Sequence, residues 1–241
     1  MTVPPLVSDV MAVVVRGDFK PVTISPAWLR DQELIGEPEH TESAFEVLIP
    51  NEVAVFKASW LNCHASPEAL QFHTDQQAEV ERLRDLVVGM LRIWGDKPIS
   101  LLGINRHVHF SVANFDQWNA IGDSVVRNDM WGNALSIPGM RSVTYWGERT
   151  DTYAGRIQVQ IEPSFVAPPG VYVAYNDHYD LTIVESQPKT REEARRLDRR
   201  ENADATKDKI PVAIEILTNQ WEVSFQRSVS ILEQVWQQAR I

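Results

Sequence analysis

Between Ile99 and Val112 the side chains alternate in character. Leu102, Ile104, Val108, Phe110 and Val112 fall on one side of an extended chain, with Arg106 the exception, and Gly103, Asn105, His107, His109 and Ser111 fall on the other. Period two over this length predicts a β-strand with one apolar face. The same period recurs elsewhere. Val10–Val15 reads as a β-branched strand closed by Arg16-Gly17-Asp18, a polar turn rather than an adhesion triplet. Ala44–Ile49 and Val53–Ser59 flank Pro50-Asn51-Glu52 and predict a hairpin, with a further strand around Ala69–His73. Arg141–Trp146, Arg156–Glu162 and Val171–Leu181 predict three more, and Pro168-Pro169-Gly170 turns between the last two.

Other stretches carry the helical period. Ser25-Pro26 opens a short helix holding Trp28 and Leu29, which Gly36 and Pro38 end. Thr74 or Asp75 starts a longer one through Trp94, with Val80, Leu83, Val87, Leu91 and Trp94 as its stripe. Asn114 caps a short helix with Phe115, Trp118 and Ile121. From Ile210 to Ala239 the stripe of Ile214, Leu217, Trp221, Phe225, Leu232 and Val235 predicts one continuous helix, about 45 Å long at ~1.5 Å per residue.

The order is therefore strand, short helix, antiparallel strands, long helix, written twice. It predicts an α+β fold of two halves, 1–98 and 99–241, forming one continuous domain. A broad antiparallel sheet would be covered on one face by two long helices, as in the saddle-shaped TATA-binding fold or helix-grip folds. Such a likeness of plan confers no function.

Composition narrows the classes. A net charge of −10 over 241 residues, with a sequence pI near 5.1, argues against a general nucleic-acid binder. Cys63 is the single cysteine, so no internal disulfide forms; with no basic, apolar leader at the start, a cytoplasmic protein without a membrane segment is expected. Eight tryptophans imply a large core or a binding surface.

No motif fixes a reaction. His107 and His109 share a face and could ligate one metal, with His178, Asp177 or Asp180 as a third ligand. Without a cysteine pair or a helical His-Glu-x-x-His, a polar sheet face explains them as well, and no metal or cofactor is predicted. Cys63 and His64 are neighbours on a strand and so point apart, against a thiol dyad. There is no Gly-x-Ser-x-Gly elbow and no phosphate-binding Gly-x-x-x-x-Gly-Lys loop. Catalytic residues are therefore not assigned. Asn105, His107, His109, Gln158, Gln160, Tyr172, Asn176 and His178 line one candidate surface; His107, His109, Tyr175 and His178 are its candidate ligand-binding residues. Thr190–Lys209 is a mixed charge run with Arg195, Arg196 and Arg199 as contact candidates, solvated rather than packed. On the last helix Val223, Val229, Ile231 and Trp236 widen the apolar arc beyond what one sheet needs, which makes Trp236 and Ile231 candidate partner contacts.

The helix near Gln77–Trp94, the run Leu102-Gly103-Ile104-Asn105-Arg106, and the C-terminal helix with Phe225 between Asn219 and Leu232 resemble a sporadically distributed, poorly characterised prokaryotic protein family of similar length. The resemblance covers about half the chain. It departs where the family's Arg-Tyr-Asn run is Asn105-Arg106-His107 here. It implies a prokaryotic source and no established activity. The expectation is a non-catalytic binding or assembly protein acting through protein–protein contacts, as a homo-oligomer or a subunit of a larger complex. The alternatives are a small-molecule or enzymatic pocket between sheet and helices, and nucleic-acid binding through Arg191–Arg200.

Overall fold

Two strands sit side by side in the middle of the sheet although about ninety residues separate them in the chain. β1 (Leu6–Gly17) and β6 (Ile99–Ser111) pair antiparallel along most of their lengths. The computed structural model describes residues 5–132, 134–183, 190, 192 and 205–239. Within them the other strands are β2 (Ala44–Ile49), β3 (Val53–Ala58), β4 (Leu61–Ala65), β5 (Ala69–Thr74), β7 (Val143–Glu148), β8 (Tyr153–Pro163) and β9 (Gly170–Ile183). All join one antiparallel sheet in the order β2-β3-β4-β5-β1-β6-β9-β8-β7. At a strand spacing of about 4.8 Å its nine strands span roughly 38 Å.

The helices pack on one face. α1 (Pro26–Asp31) is capped by the Ser25 hydroxyl, which accepts from the Trp28 N–H at 3.1 Å. α2 (Glu37–Thr41) follows, so Gly36 and Pro38 begin a second turn of helix rather than ending the region. α3 (Val80–Trp94) lays Val80, Leu83, Val87 and Leu91 on the sheet, and Gly95 ends it at φ +57°, a conformation open to glycine. In α4 (Phe115–Val125) the Asn114 side chain accepts from the Gln117 N–H. The predicted C-terminal helix is two helices, α5 (Lys209–Asn219) and α6 (Trp221–Gln237). Gln220 leaves the helical path between them at φ −107° and ψ −6°. The apolar stripe runs unbroken through this joint, which is why period alone reads one helix. Among the described residues no helix is long and apolar enough to cross a membrane.

The packed face holds two hydrophobic clusters. The larger joins Met11, Val13, Val15, Phe56, Phe72, Leu83, Leu91, Ile104, Leu217 and Trp221. The smaller joins Val108, Phe110, Ile121, Ile161, Val171, Val173, Leu232 and Val235. A polar seam runs between them. On β6 it is Arg106, between Ile104 and Val108; on β9 it is Tyr175 and Asp177, between Val173 and Tyr179; on α6 it is Ser224, Arg227 and Ser228. Arg106 holds Asp9 with two hydrogen bonds of 2.8 and 2.7 Å, donates to Ser228 and lies over the Phe225 ring. Asp177 is fully buried and accepts from Arg149, from Arg227 at 3.0 Å, and from the hydroxyls of Tyr175 and Tyr179 at 3.0 and 3.2 Å. Arg149, also fully buried, pairs with Asp151 and lies over the Tyr179 ring at 3.6 Å. Every buried charge in the seam is thus paired and hydrogen-bonded, as burial of charge requires.

Candidate functional site

The opposite face of the sheet is polar, and the register says which side chains adjoin. Across the strands one row reads Lys57, Asn62, His73, Ala12, Asn105, Asn176, Gln158 and Trp146. The next reads Val55, His64, Gln71, Val14, Gly103, His178, Arg156 and Glu148. On the other flank lie Val10, His107, Ala174, Gln160 and Thr144. Three small residues, Ala12, Gly103 and Ala174, flank the central pair Asn105 and Asn176. The two amides lean over Gly103, where a Cβ would stand 3.2 Å from the Asn105 amide oxygen and 3.6 Å from that of Asn176.

Four side-chain atoms among the described residues are buried without a hydrogen-bond partner, and three lie in that first row: His73 Nδ1, Asn105 Oδ1 and Asn176 Oδ1. The fourth, Trp60 Nε1, belongs to the packed face, where Arg82 covers its ring. A buried acceptor without a donor costs about 1–3 kcal/mol, so a run of them calls for a reason. Burial shifts three of the histidines toward the neutral form. Burial pulls His73 below its ordinary pKa against the opposing charges of Asp75 and Glu46. Burial lowers His107 as well, helped by His73 and His109, and burial alone lowers His109. The centre of this face is thus lined by neutral amides and imidazoles.

The candidate residues divide. His107, His109 and His178 share the polar face, whereas Tyr175 points into the seam on the packed face, so the four do not form one group. Alternation along β9 places Tyr175 with Val173 and Asp177 rather than with Asn176. His107 Nδ1 bonds the Tyr172 hydroxyl at 2.7 Å, and His109 Nδ1 bonds the Ser164 hydroxyl at 2.8 Å. Tyr172 also stacks on His109, with ring centroids 4.6 Å apart. A metal site here is not supported: no group of three ligating side chains occurs among the described residues. His178 lies beside Gly103, four residues along β6 from His107, or about 13 Å at strand rise. Asp177 is on the wrong face, and Asp180 meets His178 alone of the histidines, at 3.0 Å. Cys63 is buried in the core while His64 is exposed on the other face, and burial pushes the thiol well above its usual pKa.

Of the partner-contact candidates, Ile231 and Trp236 are half-buried beside the smaller cluster, with Trp236 edge-on to Phe110 at 5.6 Å. Arg195, Arg196 and Arg199 lie outside the described residues. The seam residues Asp9, Arg149 and Arg227 received no role from the sequence. The signal for part of the seam was present in Arg106 and Asp177, ionisable groups at apolar positions of an alternating strand.

No protein-family model matches the chain, and comparison with curated proteins finds no significant relative.

Proposed function

We propose that this chain is a non-catalytic binding protein, and that the polar face of its sheet is where it holds another protein. The observation that carries the reading is the row that holds His73, Asn105 and Asn176, one pair of adjoining amides and a histidine across Ala12 from them, whose buried polar atoms have no partner within the described residues. Unsatisfied groups are retained where a ligand satisfies them, at the expense of the free protein's stability. Neutral amides and imidazoles suit peptide groups, themselves neutral donors and acceptors. A phosphate backbone would call for cations in the row, and Lys57 at its far end is the one present. A face nearly 40 Å wide suits a macromolecule better than an enclosed substrate.

The same proposal takes the halves 1–98 and 99–241 as two versions of one plan. In its support, β5-β4-β3-β2 run outward from β1 and β9-β8-β7 run outward from β6. The first half has one strand more, β4, and the second ends in two helices instead of one. The prokaryotic resemblance stays part of this proposal.

The test replaces Asn105 and Asn176 together with valine, which suits a strand and removes both orphaned acceptors. The expected result is an unchanged or higher melting temperature together with loss of the protein that co-isolates with the wild type from its native cells. A variant that is destabilised by more than about 1 kcal/mol and keeps its partner would make the row structural and sink the reading. Sedimentation of the pure protein separates self-association from a foreign partner.

A further inference from the structure

The first edge of the sheet is unusual. Every residue of β2, Ala44 to Ile49, is exposed, and Phe45, Val47, Leu48 and Ile49 each keep 41–46% of their surface in solvent. β2 is the end strand and pairs on one side only, with β3. Its other side is a row of backbone groups with no strand beside it. Edge strands are ordinarily blunted by lysine, by proline or by a cover. β2 contains no lysine or proline, and no described residue covers it; a register shift between Phe45 and Val47 interrupts its pairing with β3.

The charge around it has one sign. From Asp31 to Glu52 there are seven carboxylates and no lysine or arginine. Arg30 takes Asp31 and Glu37, and Arg82 takes Glu39. Glu42, Glu46 and Glu52 stand exposed at the start, middle and end of the edge, with no ion-pair partner among the described residues.

From this edge we infer that β2 accepts an added strand from another protein: an extended apolar segment flanked by lysine or arginine. Backbone pairing would supply the affinity, with side chains meeting Phe45 and Leu48 on one face and Val47 and Ile49 on the other. The flanking cations would meet Glu42 and Glu52. A second copy of this chain fits badly. In a two-fold β2–β2 pairing centred on Val47, Glu42 of each copy faces Glu52 of the other, and like charges directly opposite are unfavourable. The inference uses a different surface from the polar face and stands without it.

The probe is a fluorescent nine-residue peptide, Lys-Lys-Val-Thr-Val-Thr-Val-Lys-Lys, beside a counterpart with glutamate in place of lysine. The lysine form should bind at least about tenfold tighter at low salt, as several exposed ion pairs together allow. The gap should close near 1 M salt, where charges are screened beyond ~3 Å. Amide exchange should slow at Ala44–Ile49. The double variant Glu42→Lys, Glu52→Lys should reverse the preference at an unchanged melting temperature, and Asn176→Val should bind the lysine peptide like the wild type. Equal binding of the two peptides, or protection away from β2, would overturn the inference. So would loss of binding in Asn176→Val, which would place the peptide on the polar face. A wild-type dimer with β2 protected would assign the edge to a second copy and overturn it too.

Discussion

Replacing Asp177 with asparagine should be among the most damaging isosteric changes available to this protein. The side chain keeps its volume and loses its charge. Four donors converge on the carboxylate: Arg149, Arg227 and the hydroxyls of Tyr175 and Tyr179. An asparagine amide offers one acceptor oxygen and turns its N–H groups toward other donors. Arg149, with no exposed surface, would keep only Asp151 as a charged partner. Removing one member of a buried pair costs about 3–5 kcal/mol, because the other charge stays buried without compensation. Against a total stability of about 5–15 kcal/mol, that is about a fifth or more of what holds the chain folded. Urea unfolding measures it, provided the slope is shared with the wild type. The companion Arg149→Met, Asp177→Leu removes both ends and should lose less than the two single changes summed. A loss under about 1 kcal/mol for Asp177→Asn would show that the seam is wet and screened, and the account of it would fail.

Three further outcomes follow from other residues. Burial and the neighbouring Asp177 charge raise the Tyr175 hydroxyl to about 12, against 10.0 in an unfolded chain. Its contribution to stability is therefore whole below pH 10 and declines by about 1.4 kcal/mol per pH unit as pH climbs toward 12; a tyrosinate signal that appears before unfolding in the wild type and is missing from Tyr175→Phe would contradict this. Gly155→Ala should cost more than about 2 kcal/mol by thermal melting, since φ is +131° at the β8 bulge and a Cβ would overlap the His178 carbonyl oxygen. Trp221→Ala should cost about 3–5 kcal/mol, and Trp236→Ala clearly less, because Trp221 is 1% exposed and Trp236 is only half-buried; equal losses would refute that ranking.

Where alternation was long, the sequence was transparent. β6 and β9 show their two faces residue by residue, and Ser25 and Asn114 announce the helices they cap. β4 was harder. Its five residues hold only three buried positions, Leu61, Cys63 and Ala65, and five residues are too few for a period to stand out. The break at Gln220 was hidden because both helices use the same apolar spacing. Tyr175 does not group with the histidines, because its parity on β9 sets it on the packed face. The row of unpaired atoms was half legible: Asn105 and Asn176 could be assigned to one face, but His73 joins them only through a register that spans β5, β1, β6 and β9. Register between strands so distant in the chain is fixed by packing, and no local pattern encodes it.

The middle position of β1 has a consequence for how the chain is made. Val10–Val15 leaves the ribosome before either of its neighbours and finds the first, β5, only after Thr74 has emerged. Its second neighbour, β6, is complete only at Ser111, about forty residues later, or some 2–8 s of synthesis at ~5–20 residues per second. Throughout that interval the inner edge of the most apolar strand in the first half stays unpaired while translation continues. The growing chain would then hold, along β1, an adhesive margin that β6 covers in the finished protein, and its yield would depend on the speed of elongation between Asp75 and Ser111.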